Sequence, residues 1–380
     1  GSEMCIRDSS AIGYSCVRVI TRGEDKSIQE EYCYYNQQEK VNRRFVGLPG
    51  EQIYTNGKLK SYRMYNGNEL EQNTEYEYRS DTVAILNAWF QDYCNFGEIT
   101  AYHVPIEHCR LEQESQTTYD HTHRSENTKT TTYTYNSSNY QPSEVSVYDG
   151  LQEKTVRTTY SVDLKDQTPY SEMCDNVNNR VSLPIETRSY KNGDLVQKEL
   201  HTYKKNTKSG NFVPDAVYNY YLGSKQTASD FNGSNLSQYG LPDYTLSGYD
   251  KYDNITEVKS RTGESEVYIW GYNGQYVIAR IVNATRSLIE GYGIGSLDSF
   301  ASGAEPSEAD WNKLNALRNS LPQCMVYTYK YEPMVGLIET TDPKGMTLYY
   351  EYDAKGRLTI ERDNNRNMIR SYRYTQKNER

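Results

Sequence analysis

The 380-residue sequence is poor in the side chains that usually fill an apolar core. It contains 6 Phe and 3 Trp, and Leu, Ile, Val and Phe together make up less than a fifth of the chain. A fraction that low is typical of disordered chains, which also tend to carry a high net charge. The net charge here is only −9, so the composition alone does not predict disorder.

Three further absences exclude classes of protein. No apolar run approaches the roughly 18 residues that a membrane-spanning helix needs, and no basic stripe marks a nucleic-acid interface. The seven cysteines include no Cys-x-x-Cys pair, which argues against a zinc ribbon and a disulfide framework. We therefore expect free, buried thiols at the cysteines that follow the opening segment, namely Cys16, Cys33, Cys94, Cys109, Cys174 and Cys324.

The chain opens GSEMCIRDSS, without Met at position 1. Back-translated in one frame, Met4 to Ser9 matches a transposon end that is used to fragment DNA for sequencing. We interpret residues 1–9 as a sequencing-library artefact fused to a truncated gene. Such segments are set aside before fold reasoning, and a signal peptide would have been lost with the missing part.

Tyrosine is abundant where the other large apolar residues are scarce, with 39 copies in the chain. Its ring is large and buriable, its hydroxyl is polar, and it favours β-strands. A core of Tyr, Thr and Val predicts an extensive, thinly packed β structure.

The clearest pattern is LYYEYDAKGRLTIERDNNRNMIRSYRY, residues 348–374. Asp353 and Gly356 take the first and fourth positions of a type I turn, where Gly is free to adopt a positive φ. Around this turn, apolar residues such as Tyr350 and Tyr352 alternate with charged ones. Period-two alternation predicts an antiparallel meander with one apolar face and one wet face.

This unit recurs at a nearly constant spacing. The separation of Tyr249 from Trp270 is almost the same as that of Gly336 from Gly356. A fixed period of about 20 residues indicates a repeat architecture, in which one hairpin is covered by its neighbours. We expect the Tyr rings to form ladders across adjacent strands.

The run Tyr-x-Tyr-Asp-x-x-Gly-Arg-Leu at 350–358 resembles the motif of the YD-repeat, or RHS, family. That family includes RHS toxins, the cocooning subunits of insecticidal toxin complexes and the teneurins. The likeness is sharpest over residues 241–374 and is to the large RHS-repeat proteins of Bacteroidota. In the copy at Asp253, Asn254 stands where the usual turn has Gly, and we expect it to adopt the positive φ. The repeat-motif residues assigned in this way are Tyr249, Tyr252, Asp253, Gly336, Tyr350, Tyr352, Asp353, Gly356, Arg357 and Leu358.

The Tyr alternation stops between residues 283 and 322. Ser307 with Asp310 resembles a capping box, and Trp311, Leu314, Leu317 and Leu321 follow at helical spacing. We read 283–322 as a small helical insertion packed on the sheet, with a helical binding epitope as the alternative. This insertion separates two repeat segments. The first, at 10–282, is degenerate up to about residue 240, and the second, at 323–380, consists of C-terminal repeats and a short tail.

No catalytic motif is present, and we predict that the chain is not an enzyme and holds no metal or cofactor. His121 and His123 would lie on one face of a strand, but no ligand-rich pattern surrounds them. Self-cleaving RHS toxins use paired Asp-Pro-x-Gly elements, and a shared proton requires two carboxylates. Here only Asp342 begins such an element, because the next repeat has Asp363-Asn364-Asn365-Arg366. Asp342 is therefore read as a turn residue.

These observations predict an all-β fold, a long curling antiparallel sheet of hairpin YD repeats with a small helical insertion. The resemblance implies a structural part of a large secreted or surface-exposed bacterial protein, forming part of a β-shell. The alternative is a surface module that binds carbohydrate or protein. The partners implied are the rest of the truncated chain and either an enclosed polypeptide or a surface glycan, with no nucleic acid. The resemblance also implies an extracellular or cell-surface location.

Overall fold

The computed structural model describes residues 14–22, 27–37, 53–92, 98–221 and 230–374. Residues 1–9, interpreted above as a library artefact, lie outside these ranges, as does Cys94. Within the described part of the chain, no helix is long and apolar enough to cross a membrane.

Twenty strands of the described residues form one antiparallel sheet, so the all-β prediction is confirmed. The first eight strands are β1 (Cys16–Arg22), β2 (Ser27–Tyr34), β3 (Leu59–Asn66), β4 (Glu69–Asp92), β5 (Glu98–Asp120), β6 (Ser125–Tyr135), β7 (Pro142–Tyr148) and β8 (Glu153–Tyr160). The next six are β9 (Pro184–Lys191), β10 (Asp194–Lys205), β11 (Phe212–Tyr221), β12 (Tyr244–Tyr249), β13 (Ile255–Ser260) and β14 (Ser265–Gly271). The last six are β15 (Tyr276–Val282), β16 (Met325–Glu332), β17 (Gly336–Thr341), β18 (Thr347–Tyr352), β19 (Leu358–Arg362) and β20 (Met368–Ser371).

The sheet is a succession of hairpins, because most strands pair with the next strand in sequence. This holds from β1 to β8 and from β11 to β20, and β9 pairs with β10. Consecutive antiparallel pairing is what short turns between strands permit.

The helices are few and short. They are α1 (Tyr170–Met173), α2 (Arg286–Ile289), α3 (Asp298–Ala301) and α4 (Glu308–Ser320), with 3₁₀ turns at Ser161–Leu164 and Leu236–Tyr239 and a π turn at Glu290–Ile294. The α4 helix begins where the spacing predicted it. Ser307 accepts a hydrogen bond from the Asp310 backbone N–H, and the Asp310 carboxylate accepts one from the Ser307 backbone N–H.

The chain divides into two compact units. The first comprises Gly1–Thr159, Thr187–Gln197 and Leu222–Thr227, and the second comprises Tyr160–Glu186, Lys198–Tyr221 and Ala228–Arg380. Among the residues of the first unit whose side chains the structure describes, which leave out 90–100 and 102, only Ser61 and Thr74 are buried, and neither is apolar.

The second unit contains two apolar clusters. One joins sheet residues such as Ile269 and Ile281 to helix residues such as Trp311 and Leu314. The other is built around Met173, Ile185 and Leu200, with Phe231 and Tyr239. The helical insertion therefore packs on the sheet instead of standing free.

The cysteines differ from the prediction of free, buried thiols. Cys16 and Cys33 face each other in the β1–β2 ladder and form a disulfide. Cys109 and Cys174 are free but only half-buried, and Cys324 is free and buried. The prediction was wrong for Cys16 and Cys33, because two residues that are well separated in sequence become direct neighbours once the hairpin register is set.

Candidate functional site

The repeat turn is organised by one aspartate. The Asp353 carbonyl accepts a hydrogen bond from the Gly356 N–H at 2.9 Å, which closes a type I turn. Asp353 Oδ1 accepts bonds from the Lys355 and Arg357 N–H groups at 2.9 and 3.0 Å. Arg357 also reaches Asp353 Oδ2 at 2.7 Å. These backbone hydrogen bonds and the Arg357 guanidinium hold the pKa of Asp353 below its usual value. Gly356 has a φ of +71°.

Two neighbouring turns repeat the same arrangement. Oδ1 of Asp342 accepts from the N–H groups two and four positions later, and so does Oδ1 of Asp363. The positive φ falls on the fourth turn residue, Gly345 and Arg366. Asp342, the residue that resembles half of a self-cleaving pair, is therefore a turn residue in the described structure.

The copy near residue 250 has a different register from the one assigned by sequence. Asp250, not Asp253, is the turn aspartate, because its Oδ1 accepts from the Tyr252 and Asn254 N–H groups at 2.8 and 2.9 Å. The positive φ lies on Asp253, at 66°, and not on Asn254 as expected. Tyr249 is accordingly the buried repeat tyrosine, whereas Tyr252 is 44% exposed.

The Asp253 carboxylate serves a different purpose. It accepts hydrogen bonds from Ser209 Oγ at 2.5 Å and from Asn206 and Asn211 Nδ2 at 2.7 Å each. Burial opposes ionisation of Asp253, but these hydrogen bonds outweigh it and lower the pKa. Asp253 therefore links its own turn to the turn that contains Asn206, Ser209 and Asn211.

Aromatic residues near the ends of three strands donate a hydrogen bond to the backbone. Tyr352 Oη donates to the carbonyl of Leu337 at 2.8 Å, and Tyr374 Oη donates to the carbonyl of Leu358 at 2.9 Å. Trp270, which lies one repeat after Tyr249, donates its indole N–H to the carbonyl of Ile255 at 2.8 Å. In each case the acceptor lies at or next to the start of the preceding strand.

On the side of the following strand, the three acceptor residues lie beyond the end of the ladder. The β17–β18 pairing ends at Glu339 and Tyr349, so the two strands have separated where Leu337 and Tyr352 lie. The Tyr352 hydroxyl spans the gap and gives the Leu337 carbonyl a donor on that side. Phe offers no such donor, and this is a physical reason for 39 Tyr against 6 Phe.

The first unit uses the same contact. Tyr135 Oη donates to the Leu111 carbonyl at 2.6 Å, and Tyr35 Oη donates to the Tyr76 carbonyl at 3.0 Å. We call the residues that make this contact, Tyr35, Tyr135, Trp270, Tyr352 and Tyr374, the bridging aromatics. Ring pairing is also present, as in Tyr276 and Tyr331, whose stacked centroids lie 4.6 Å apart.

The remaining predicted residues have local roles. Tyr350 Oη lies 3.4 Å from the Thr340 hydroxyl, and Leu358 pairs with Tyr352 across a register shift. A Cβ at Gly336 would lie 3.2 Å from the Tyr352 ring, so a side chain there would crowd the bridging aromatic. The predicted residues therefore contribute to turns and to the aromatic hydrogen bonds beside them.

The histidines do not lie as the sequence suggested. Residues 121–124 form a turn instead of a strand, so His121 and His123 do not share a strand face. His123 Nδ1 lies 2.6 Å from Asp120 Oδ2, and a ring nitrogen of His121 lies 2.8 Å from the Leu70 carbonyl. Glu69, Glu71 and His121 bring one potential ligand atom each within 4.8 Å of one another. The sequence analysis did not single out Glu69 or Glu71 as candidate ligands.

A cavity of about 660 Å³ lies on β12–β15 in the second unit. Glu266 is its central carboxylate, held by two bonds from Arg280 at 2.8 and 2.9 Å and one from Tyr268 Oη at 2.7 Å. The Arg280 side chain lowers the pKa of Glu266, and Glu266 raises the pKa of Arg280. Burial raises the pKa of Tyr268. Sequence analysis missed this site, because its residues come from four strands.

No family model matches the chain, and no curated protein matches it. Among solved structures it is similar to crystal structures of TcdB2-TccC3, TcdB2-TccC3-TEV and TcdB2-TccC3 without its hypervariable C-terminal region. The identities are 9%, 9% and 10%, and each TM-score is 0.50. The matches cover 89% of this chain but 20%, 19% and 19% of those chains, so it spans about a fifth of their length. At this identity the likeness concerns the fold alone, and it is consistent with an RHS-repeat-like β-sheet.

Proposed function

We propose that the chain is a non-catalytic structural part of a large secreted or surface-exposed RHS-like protein, in which it forms part of a β-shell. One observation carries the proposal: the three successive connections that follow β17, β18 and β19 are the same aspartate turn, and bridging aromatics join neighbouring strands in both units. In a wall made of repeats each hairpin contacts chiefly its neighbours, so contacts of this kind help to hold the wall together. The likeness in fold to the TcdB2-TccC3 structures supports a scaffold role.

The turn geometry supports the absence of self-cleavage. The Asp342 carboxylate is engaged with the Lys344 and Met346 N–H groups at 2.9 and 2.8 Å. Asp363 has the same turn contacts. An aspartyl pair that shares a proton needs two carboxylates directed at one point, whereas these two each bond to their own turn.

The location we propose is extracellular or on the cell surface. Its support is the Cys16–Cys33 disulfide, because such bonds persist chiefly in oxidising compartments. The partners proposed are the rest of the longer chain and an enclosed polypeptide.

Prolonged incubation of the purified chain tests the non-catalytic role. We expect one intact band on a denaturing gel after several days at pH 5 to 8. Asp342→Asn should leave that pattern unchanged, and so should the matched turn variant Asp363→Asn. A specific fragment cut near residue 342 that disappears in Asp342→Asn but persists in Asp363→Asn would contradict the proposal.

A further inference from the structure

Three potential metal ligands meet in the first unit, at the end of the β4–β5 ladder where β4 begins. Glu69 and Glu71 lie in the first three positions of β4. His121 follows the last residue of β5, and the ladder that pairs Gln72 with Thr118 brings it beside the start of β4. One potential ligand atom of each residue lies within 4.8 Å of those of the other two.

The hydrogen bond of His121 leaves one ring nitrogen able to bind a metal. His121 Nε2 lies 2.8 Å from the carbonyl oxygen of Leu70. A carbonyl oxygen can only accept a hydrogen bond, so Nε2 carries the proton and, in the neutral ring, Nδ1 holds the lone pair. Histidines that bind metals usually donate their other ring N–H to a carboxylate or to a backbone carbonyl, which fixes the orientation of the ring. His121 has such a partner.

The two carboxylates of this cluster lack a cationic partner. No lysine or arginine in the described part of the chain forms an ion pair with Glu69 or Glu71, and the Asn66 amide, 3.4 Å from Glu71, carries no charge. On the nearby strand β2, by contrast, the Glu31 carboxylate is paired with two arginines at 2.8 and 3.4 Å. Carboxylates that are held close together repel each other, and a bound cation would offset that repulsion.

The donor atoms restrict the class of metal. Ca²⁺ and Mg²⁺ are bound by oxygen ligands, whereas an imidazole nitrogen beside carboxylates suits Zn²⁺ and other first-row transition ions. Glu69 and His121 are exposed, so water can complete the coordination of an ion that three side chains hold.

We propose that Glu69, Glu71 and His121 form a binding site for a divalent transition metal ion of the zinc class. The ion would connect the start of β4 to the turn that follows β5, in the unit whose described side chains include no buried apolar group. This proposal departs from the sequence-based expectation of no metal, because only the ladder register places the two glutamates beside His121. It goes beyond the scaffold role and does not depend on it.

Isothermal titration calorimetry of the full chain tests the proposal, with Zn²⁺ alone as the probe after treatment with a chelator and desalting. We expect the unchanged chain to bind Zn²⁺ at one site whose affinity falls about tenfold or more in His121→Ala and in Glu69→Gln. Zn²⁺ should also raise the melting temperature of the unchanged chain but not that of His121→Ala, because an ion that binds the folded state stabilises it.

His123→Ala is the matched control. His123 lies in the same turn, its side chain is 76% exposed, and it contacts Asp120 instead of the two glutamates. This variant should bind Zn²⁺ as the unchanged chain does, and circular dichroism verifies that each variant is folded.

Three results would each overturn the proposal. They are no binding of Zn²⁺ by the unchanged chain, equal affinity of the folded His121→Ala and His123→Ala variants, and binding of Ca²⁺ as tight as that of Zn²⁺. The last result would mean that the carboxylates attract any divalent cation without using the imidazole. None of the three would affect the scaffold role, which requires no metal.

Discussion

In the second unit, Leu314 and Ile281 are fully buried in one apolar cluster, whereas in the first unit Ile85 and Trp89 stand 61% and 71% exposed. The hairpins of both units carry bridging aromatics, so the difference lies in what covers the strands. Helices cover the sheet in the second unit. Over the side chains of the first unit that the structure describes, which exclude those of 90–100 and 102, no apolar side chain is buried.

The long β4–β5 hairpin makes the contrast plain. Ladder pairing joins β4 to β3 only as far as Glu75, and it joins β5 to β6 only from Gln113 onward. Beyond these points the two strands of the described chain pair only with each other, up to Asp92 and Glu98. A two-stranded ribbon is at best marginally stable in water by itself. The comparison teaches that a tyrosine-rich hairpin repeat supplies hydrogen bonds everywhere, but a core only where another element covers it.

The largest expected effect comes from removing a buried side chain in the covered unit. Leu314→Ala should lower the free energy of unfolding by about 2–5 kcal/mol, because it leaves a cavity between α4 and the sheet. The matched change Ile85→Ala in the first unit should cost less than about 0.5 kcal/mol, because that side chain is already exposed. Chemical denaturation measures both, and equal losses would remove the contrast between the units.

Turn strain should be the same in both units, since it depends on backbone conformation and not on a core. Gly356→Val in the second unit and Gly67→Val in the first should each cost about 1–3 kcal/mol. Their φ angles are +71° and +62°, and a Cβ would meet no atom within 4 Å at either. Thermal melts measure the loss of stability of each variant. Ala354→Ser is the control and should change the melting temperature very little. A large loss from Ala354→Ser would refute the turn assignment.

A smaller effect is expected from the bridging aromatics. Tyr352→Phe and Tyr135→Phe should each cost about 0.5–1.5 kcal/mol, because the ring stays while a carbonyl loses its donor. Tyr350→Phe is the control, since its hydroxyl is 3.4 Å from its neighbour. Denaturant midpoints should rank the control as the most stable of the three variants. Indistinguishable midpoints would mean that the hydroxyl-to-carbonyl contacts contribute nothing.

Alkaline pH should weaken both units. Burial raises the pKa of Tyr249 in the second unit from 10.0 to about 12, and partial burial together with a hydrogen bond to Glu30 raises that of Tyr62 in the first unit by the same amount, to about 12. A raised pKa means that the folded state favours the protonated ring, so this contribution is complete below pH 10 and is lost as pH rises from 10 toward 12. Absorbance titration of the phenolates compares Tyr249→Phe and Tyr62→Phe with the unchanged chain. If both rings ionise near pH 10, the described environments of the two rings are contradicted.

Periodicity was enough to predict the all-β class, the hairpin turn at Asp353 and Gly356, and the position of α4. The one-repeat spacing from Tyr249 to Trp270 was visible as well, but its meaning was not. Both residues donate a hydrogen bond to a backbone carbonyl, Tyr249 to Pro214 and Trp270 to Ile255, and these acceptors can be located only in the structure. The YDKYDN segment contains two Tyr-Asp pairs, either of which could begin the turn. Asn254, which lies four positions after Asp250, was the sequence signal in favour of the first pair.

Other features depend on register, which a sequence pattern does not fix. The Cys16–Cys33 disulfide and the cavity around Glu266 each join residues from different strands. The approach of Glu69 and Glu71 to His121 has the same origin, since these residues meet only through the β4–β5 ladder. Alternation along one strand predicts which side chains share a face of the sheet. A site also depends on which residues lie opposite them on the neighbouring strands.

Hydrogen exchange of the intact chain, followed by mass spectrometry, tests the central claim most directly. The account predicts the slowest amides in β14, β15 and β16, where the strands form one side of the helix-covered cluster. Amides of 78–92 and 103–111 in the β4–β5 ribbon should exchange faster by orders of magnitude, because no third strand pairs with them in the described chain. Equal protection in the ribbon and in β14–β16 would contradict the account.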